Sequence, residues 1–188
     1  MRLIIREDIN TAADYIAEYI IGRINTFAPT FDRPFVLGLP TGSSPVPIYS
    51  ALVTAYQTDR ISFRHVVTFN MDEYVGLPRQ HSESYYSFME TNLFNHVDID
   101  PTNINILDGN APDLEQECVM YEAKIKKTIM DAKEVAIIAT GASKALAIQS
   151  AIEGEALNER YIRVSKLNIH VYKRTAFIMS QQRWSRKN

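Results

Sequence analysis

The chain has 188 residues, of which 46% are hydrophobic, so it is long enough for one compact domain with a sizeable core. Its 20 basic and 22 acidic side chains nearly cancel, which argues against a nucleic-acid partner or an anionic membrane surface. Its single cysteine, Cys118, excludes an intramolecular disulfide, and no apolar stretch is long enough for a secretory signal or a membrane span. We therefore expect a soluble cytoplasmic protein.

The first part of the chain alternates short apolar segments with amphipathic ones. Residues 3–5 predict a strand, and Asn10-Thr11 offers an N-cap for a helix with apolar positions from Ile9 to Ile24. Residues 35–39 form a continuous apolar run, which is typical of a strand buried on both faces of a parallel sheet. A second helical pattern follows over residues 48–56.

The alternation continues along the chain. Further strands are predicted at 65–70, 104–107 and 135–139, and further helices at 83–94, 113–127 and 144–153. Strands that alternate with helices predict an α/β fold, an open parallel (Rossmann-like) sheet with helices on both faces. Because ligands bind such sheets at the carboxyl ends of the strands, the candidate site lies in loops 40–45, 70–76 and 140–144.

Loop 40–45 has the composition of an anion site. Gly42 lets the backbone turn tightly, and the hydroxyl groups of Thr41, Ser43 and Ser44 adjoin the N–H groups of a predicted helix start. A helix cap without any ligand explains this segment equally well when it is taken by itself.

Two adjacent acids, Asp72 and Glu73, follow the predicted strand at 65–70. Neighbouring carboxylates cannot both point the same way, so one can face the site while the other caps a backbone group or faces solvent. Asp72 is a candidate general base if partial burial raises its pKa. On composition alone, a solvated acid in a turn is the more common explanation.

Lys144 stands at the predicted start of a helix, where its charge opposes the helix macrodipole unless an anion binds there. A solvent-facing lysine is an equally good explanation. The four histidines show no metal-ligand spacing, so we expect no metal site.

Four segments taken together resemble glucosamine-6-phosphate deaminases. They are Phe35 to Pro45, Thr68 to Leu77, Glu83 to Tyr85 and Ile106 to Ala111. The resemblance runs from Met1 to Lys127 and resumes from Thr128 to Gly154. The chain is therefore identified as a member of the glucosamine-6-phosphate deaminase/isomerase family.

The resemblance implies the conversion of glucosamine 6-phosphate and water to fructose 6-phosphate and ammonia in amino-sugar catabolism, with neither a metal nor an organic cofactor. By motif position, Asp72 would take the C2 proton, and the 41–44 loop with Lys144 would hold the substrate phosphate. A sugar phosphate is the implied ligand, and a homo-oligomer is the implied assembly. The candidate substrate-pocket residues are Glu73, Tyr74 and Tyr85.

Relative to the family, the chain is expected to be shortened. Between Lys127 and Thr128 the family carries several tens of further residues, with an Asp-Gly-His-Ile-Ala-Phe-Asn-Glu-Pro motif that supplies the ring-opening histidine, its carboxylate partners and the start of a lid. A further phosphate-binding arginine belongs to the same segment. We divide the chain into a family-like domain, 1–154, and a basic tail outside the resemblance, 155–188, expected to be poorly ordered apart from a possible strand around Ile162 to Val171.

Two other functions stay open. Loss of a positioned acid–base group costs about 10²–10⁴-fold in rate, so the chain could be an inactive form that binds sugar phosphate or joins full-length family subunits. A 6-phosphogluconolactonase shares the fold, but the Asn70 to Tyr74 segment argues against that activity.

Overall fold

A computed structural model describes residues 2–129, 135–139 and 175–180. These residues fall into two compact units, one made of residues 13–132 and the other gathering the described parts of 1–12 and 133–188. Each unit contains one three-stranded parallel sheet. The predicted α/β class with open parallel strand pairing is therefore confirmed, although the described strands form two three-stranded sheets where a single sheet was predicted.

Up to residue 139 the helices and strands follow the predicted order, and a further strand at 175–180 was not predicted. The helices are α1 (Ile9–Phe27), α2 (Val46–Gln57), α3 (Tyr85–Asn92) and α4 (Leu114–Ile129), with 3₁₀ turns at Phe94–His96 and Pro101–Asn103. The strands are β1 (Arg2–Arg6), β2 (Phe35–Leu39), β3 (Val66–Asn70), β4 (Ile104–Asn105), β5 (Val135–Ala139) and β6 (Thr175–Ser180). In these described ranges, no helix is long and apolar enough to cross a membrane. The predicted helix at 144–153 lies outside the described residues.

The sheet of the first unit has the order β2-β3-β4, and both of its strand pairs are parallel. Leu39 at the end of β2 pairs in register with Asn70 at the end of β3. The loops that follow these two residues therefore leave the sheet side by side, at its carboxyl edge.

The core of this unit is built around β3. Val66, Thr68, Phe69 and Asn70 are each at most 4% exposed. They are accompanied in the core by large apolar side chains that are fully buried, among them Leu39, Leu52, Phe63, Met89 and Leu93.

Strand β2 is less buried than predicted. Only Leu39 is buried, the preceding side chains are half-buried, and Gly38 is exposed. Within the described part of the chain β2 pairs with β3 alone, so it lies at an edge of its sheet. The expectation that this strand is buried on both faces was wrong, because an apolar run does not show which faces of the sheet other elements cover.

The start of α1 also differs from the prediction. The carboxylate of Asp8 accepts the backbone N–H groups of Asn10 at 2.7 Å and Thr11 at 2.9 Å. Asp8 is therefore the capping residue, rather than Asn10 or Thr11. An acid is favourable at this place because it both pairs the first N–H groups and complements the positive end of the helix dipole.

The second sheet has the order β1-β6-β5, again with both pairs parallel. Phe177 of β6 lies in register between Leu3 and Ile137. The tail predicted to be poorly ordered contributes this strand, and its apolar run from Ala176 to Met179 suits a central parallel strand. The strand considered around residues 162–171 lies outside the described residues.

Candidate functional site

Loop 40–45 leaves the sheet at the end of β2 and enters α2. Gly42 has a φ of +106°, a backbone conformation that favours glycine, and it is exposed together with Ser43. Thr41 and Ser44 are half-buried. The N-cap residue of α2 is Pro45, which has no side chain able to pair the first N–H groups of the helix. The loop therefore brings hydroxyl groups and a helix start without a side-chain cap to the same place.

Two buried polar side chains hold the beginning of this loop. The hydroxyl of Tyr49, on α2, donates to the carbonyl oxygen of Pro40. The side-chain amide of Asn70, on β3, donates to the carbonyl oxygen of Leu39 at 3.0 Å. Because Tyr49 and Asn70 are each only 1% exposed, the loop starts from a fixed position.

The two adjacent acids after β3 have different environments. Glu73 accepts the backbone N–H groups of Tyr74, Tyr85 and Tyr86 at 2.8–3.0 Å, so it closes the start of α3. Asp72 is exposed and accepts no hydrogen bond from the part of the chain that the structure describes. One acid is a cap and the other is free to act on a ligand, as the sequence predicted for such a pair.

The environment of Asp72 favours its protonated form. Partial burial of the carboxyl group, followed by the neighbouring charge of Glu73, raises the pKa of Asp72 above its ordinary value. A carboxylate with a raised pKa is a stronger base than an ordinary aspartate, and Asp72 is accessible to a ligand.

Tyr85 connects the two loops. Its ring lies 4.7 Å from that of Tyr74, centroid to centroid. A hydrogen bond with Tyr74, then burial and the nearby charge of Asp72, raise the pKa of Tyr85, while a hydrogen bond with Thr41 acts in the opposite direction. The structure therefore brings Thr41, Asp72, Tyr74 and Tyr85 together.

Not every predicted residue can be placed. Lys144 and the loop 140–144 lie outside the described residues, so the part predicted for Lys144 stays a prediction. In the described ranges there is no group of three or more His, Cys, Asp or Glu side chains that could hold a metal ion.

The loop between β4 and α4, which contains Gly109, supports the site, although no site residue was predicted there from the sequence. The N–H of Gly76 donates to the carbonyl oxygen of Gly109 at 2.9 Å. The side-chain amide of Asn110 donates to the carbonyl oxygen of Leu77 at 2.7 Å. The segment 106–111 was singled out only for its resemblance, because the sequence shows nothing of a contact more than 30 residues away.

Tyr121 of α4 makes a contact with the carboxyl edge of the sheet that the sequence did not predict. Its hydroxyl lies 2.7 Å from the carbonyl oxygen of Asn70 and 2.9 Å from that of Asn105. These are the last residues of β3 and β4, so Tyr121 joins α4 to the carboxyl edge from which the acidic loop leaves. Burial raises the pKa of its hydroxyl, which therefore stays protonated as a donor.

The sequence matches known proteins along most of its length. Residues 7–130 match the family described as glucosamine-6-phosphate isomerases/6-phosphogluconolactonase. The chain is 39% identical over 234 residues to the glucosamine-6-phosphate deaminase of Histophilus somni strain 2336, covering 90% of this chain and 87% of that protein. The glucosamine-6-phosphate deaminase of Yersinia enterocolitica matches with the same identity and coverage.

Solved structures share the fold. The structure of a monomeric glucosamine-6-phosphate deaminase superposes with a TM-score of 0.83 at 22% identity, covering 96% of this chain and 98% of that one. A 6-phosphogluconolactonase from Thermotoga maritima superposes with a TM-score of 0.72 at 15% identity, covering 96% and 99%. At these identities the likeness is one of fold alone.

The alignment with the bacterial deaminases contains a gap. It extends over 234 positions, more than the 188 residues of this chain. Part of the relatives' sequence therefore has no counterpart here, while the position predicted for the deletion, between Lys127 and Thr128, stays a prediction.

Proposed function

The chain belongs to the family of glucosamine-6-phosphate isomerases and 6-phosphogluconolactonases, and from that premise we propose that it converts glucosamine 6-phosphate and water to fructose 6-phosphate and ammonia. The observation that supports this most directly is the position of Tyr85. Its backbone N–H donates to Glu73, the neighbour of Asp72, at 2.9 Å, and both Asp72 and Thr41 act on the pKa of its hydroxyl. An anion site and a base therefore adjoin at the same edge of one sheet.

The substrate phosphate binds at loop 40–45 in this proposal. The hydroxyl groups of Thr41, Ser43 and Ser44 donate to its oxygens, and the positive end of the α2 dipole favours its charge. The exposed Gly42 lets the phosphate approach the backbone closely. Lys144 would add a countercharge, as the resemblance implies.

Asp72 is the catalytic base. It takes the proton from C2 of the open-chain sugar and returns it at C1, while O1 gains a proton and the amine loses one, which leaves an imine at C2. Water then adds to C2 and ammonia leaves, giving the ketose. The raised pKa of Asp72 suits this work, because a base is most effective when its pKa approaches the working pH.

The pocket residues divide between contact and support. Tyr85 offers its hydroxyl group to the sugar, and Tyr74 supports Tyr85 through the contact of their rings. Glu73 acts as a positioning residue, since both of its oxygens already accept backbone N–H groups around the start of α3.

The test is the release of ammonia from glucosamine 6-phosphate by the purified chain, with Asp72→Asn as the matched inactive control. Release that disappears in the variant supports the proposal. If both proteins release ammonia equally, Asp72 is not the base. Hydrolysis of 6-phosphogluconolactone, measured in parallel, would instead place the chain with the lactonases of the same family.

The alignment gap favours a second candidate, a chain that binds sugar phosphate without turnover. By resemblance, the missing segment carries the histidine that opens the sugar ring, so the shortened chain would have to act on open-chain sugar already present in solution. Binding of glucosamine 6-phosphate that is weakened by Ser43→Ala, without any ammonia release, would support this candidate over the first.

Self-association and a cytoplasmic location complete the proposal. Light scattering of the purified chain measures its mass directly and distinguishes a homo-oligomer from a monomer. One structural relative is described as monomeric, so a mass equal to one chain would contradict the homo-oligomer.

A further inference from the structure

The loop between β4 and α4 has a role that the proposed function does not yet use. Residues 108–111, hereafter the strap, lie against residues 74–77, the chain that follows the candidate base. Among the described residues, the strap supplies every hydrogen bond of the 74–77 backbone except the one between Tyr74 and its neighbour Glu73. The position of residues 74–77 therefore depends on the strap.

Gly109 makes the closest approach. A Cβ atom at this position would lie 1.9 Å from the carbonyl oxygen of Tyr74 and 2.8 Å from its carbonyl carbon. Both atoms belong to the backbone and cannot rotate away as a flexible side chain would. Any side chain at residue 109 must therefore push the Tyr74 peptide outwards by about 1 Å or more.

The strap is itself held at its other side. The N–H of Asp108 donates to the carboxylate of Glu117 on α4 at 3.1 Å, and the carboxylate of Asp108 accepts the N–H of Asn110 at 2.9 Å. The side chain of Asn110 then reaches Leu77. This continuous set of contacts fixes the 74–77 backbone to a regular helix, although Tyr74 and Val75 are 49% and 68% exposed.

We propose that Gly109 and Asn110 are positioning residues for the reaction, holding Tyr74 against Tyr85 in the loop that follows the candidate base. This inference rests on the proposed function for its effect on turnover. Its geometric part, the contact between the two tyrosine rings, does not depend on any substrate. The ring separation of 4.7 Å is the quantity that the strap maintains.

The test replaces Gly109→Ala and, as a milder change, Asn110→Ala in the full chain. The matched control is Gly22→Ala, because the exposed Gly22 in α1 has no atom within 4 Å of an added Cβ. The first measurement is the NMR chemical shifts of the Tyr74 and Tyr85 rings in protein with labelled tyrosine, assigned with Tyr74→Phe and Tyr85→Phe. Ring-current shifts report the contact between the two rings directly, with no substrate present.

We expect both tyrosine signals to move towards the positions of isolated exposed tyrosines in Gly109→Ala and Asn110→Ala, and to stay unchanged in Gly22→Ala. Turnover should fall on the order of 10²-fold in Gly109→Ala, since a displacement of about 1 Å at a site has that effect. If Gly109→Ala does not fold, the shifts of the Tyr74 and Tyr85 rings in Asn110→Ala test the proposal.

Unchanged tyrosine shifts in a folded Asn110→Ala and Gly109→Ala would overturn the proposal. A wild-type chain without turnover would count against the proposed activity only, because the ring shifts still test the strap. A loss of turnover with unchanged shifts would also contradict it, since the strap would then act by some route other than the tyrosine pair.

Discussion

The carboxylate of Glu73 accepts the backbone N–H of Tyr85 at 2.9 Å, although the two residues are separated by eleven others in the chain. This contact joins the loop of the candidate base to the start of α3. It orients Tyr85, whose hydroxyl interacts with Thr41 on the other loop. Glu73 therefore supports the site by holding the backbone of α3, whereas Asp72 is the residue that acts on the substrate.

Glu73→Gln should lower the free energy of unfolding by about 1–2 kcal/mol, because glutamine keeps one acceptor oxygen and its NH2 group cannot accept the N–H that the other carboxylate oxygen now pairs. Urea unfolding measures this change. Glu83→Gln is the matched control: it makes the same chemical change next to the same helix start, and the Glu83 carboxylate accepts no hydrogen bond from the described residues. Equal destabilisation by the two variants would contradict the capping role.

Asp72→Asn should be at least as stable as the wild type at neutral pH. The pKa of Asp72 is raised in the folded state, so its contribution to stability is fully present below the unfolded pKa and is lost as the pH rises through the folded pKa. The variant avoids this loss because asparagine does not ionise. Urea unfolding at pH 7 and pH 3 measures how the stability difference between the variant and the wild type changes with pH. A variant that is less stable than the wild type at pH 7 would show that the carboxylate is favourably paired.

The pH dependence of turnover should report the same group. Asp72 must be ionised to take a proton, so kcat/KM should rise with pH through the raised pKa of Asp72, above the ordinary range of an aspartate. Glu73→Gln removes the negative charge that contributes to this rise, so the acid limb of its profile should move to lower pH. An acid limb that stays in place would mean that Glu73 does not act on Asp72 electrostatically.

The strands that carry the site could be predicted from the sequence, and the family recognised from its motifs is confirmed by the comparisons. A short apolar run such as Phe35–Leu39 identifies a strand because it is bounded by Pro34 and Pro40 and is too short for a helix. That β2 lies at an edge of its sheet could not be predicted, since strand order depends on pairings that are distant in sequence.

The contacts within the site were harder to predict for a related reason. The sequence showed that Asp72 and Glu73 must differ, but it gave no means of knowing which acid would cap α3. Gly109 looks like an ordinary turn residue in the sequence. Its need to be glycine comes from the carbonyl of Tyr74, 35 residues earlier, and only the folded chain brings the two together.

Tyr49→Phe should affect both stability and phosphate binding. The variant leaves the carbonyl oxygen of Pro40 without its donor, which should cost about 1–2 kcal/mol in unfolding free energy. The freed loop should also raise KM several-fold with a smaller effect on kcat, because it binds the phosphate rather than the reacting carbons. Tyr56→Phe on the same helix is the control, since the Tyr56 hydroxyl makes no hydrogen bond with the described residues, and it should change neither quantity.

The hydroxyl pair of Tyr74 and Tyr85 can be tested by a double-mutant cycle. Tyr85→Phe removes the hydrogen bonds with both Tyr74 and Thr41, so it should raise KM about fivefold, the equivalent of one ordinary hydrogen bond. Tyr74→Phe should have a smaller effect, because it leaves the interaction with Thr41 in place. The KM of the double variant should rise no more than that of Tyr85→Phe alone, since the Tyr74 hydroxyl acts through Tyr85. Effects of the two changes on the free energy of binding that simply add would show that the two hydroxyl groups contact the substrate independently.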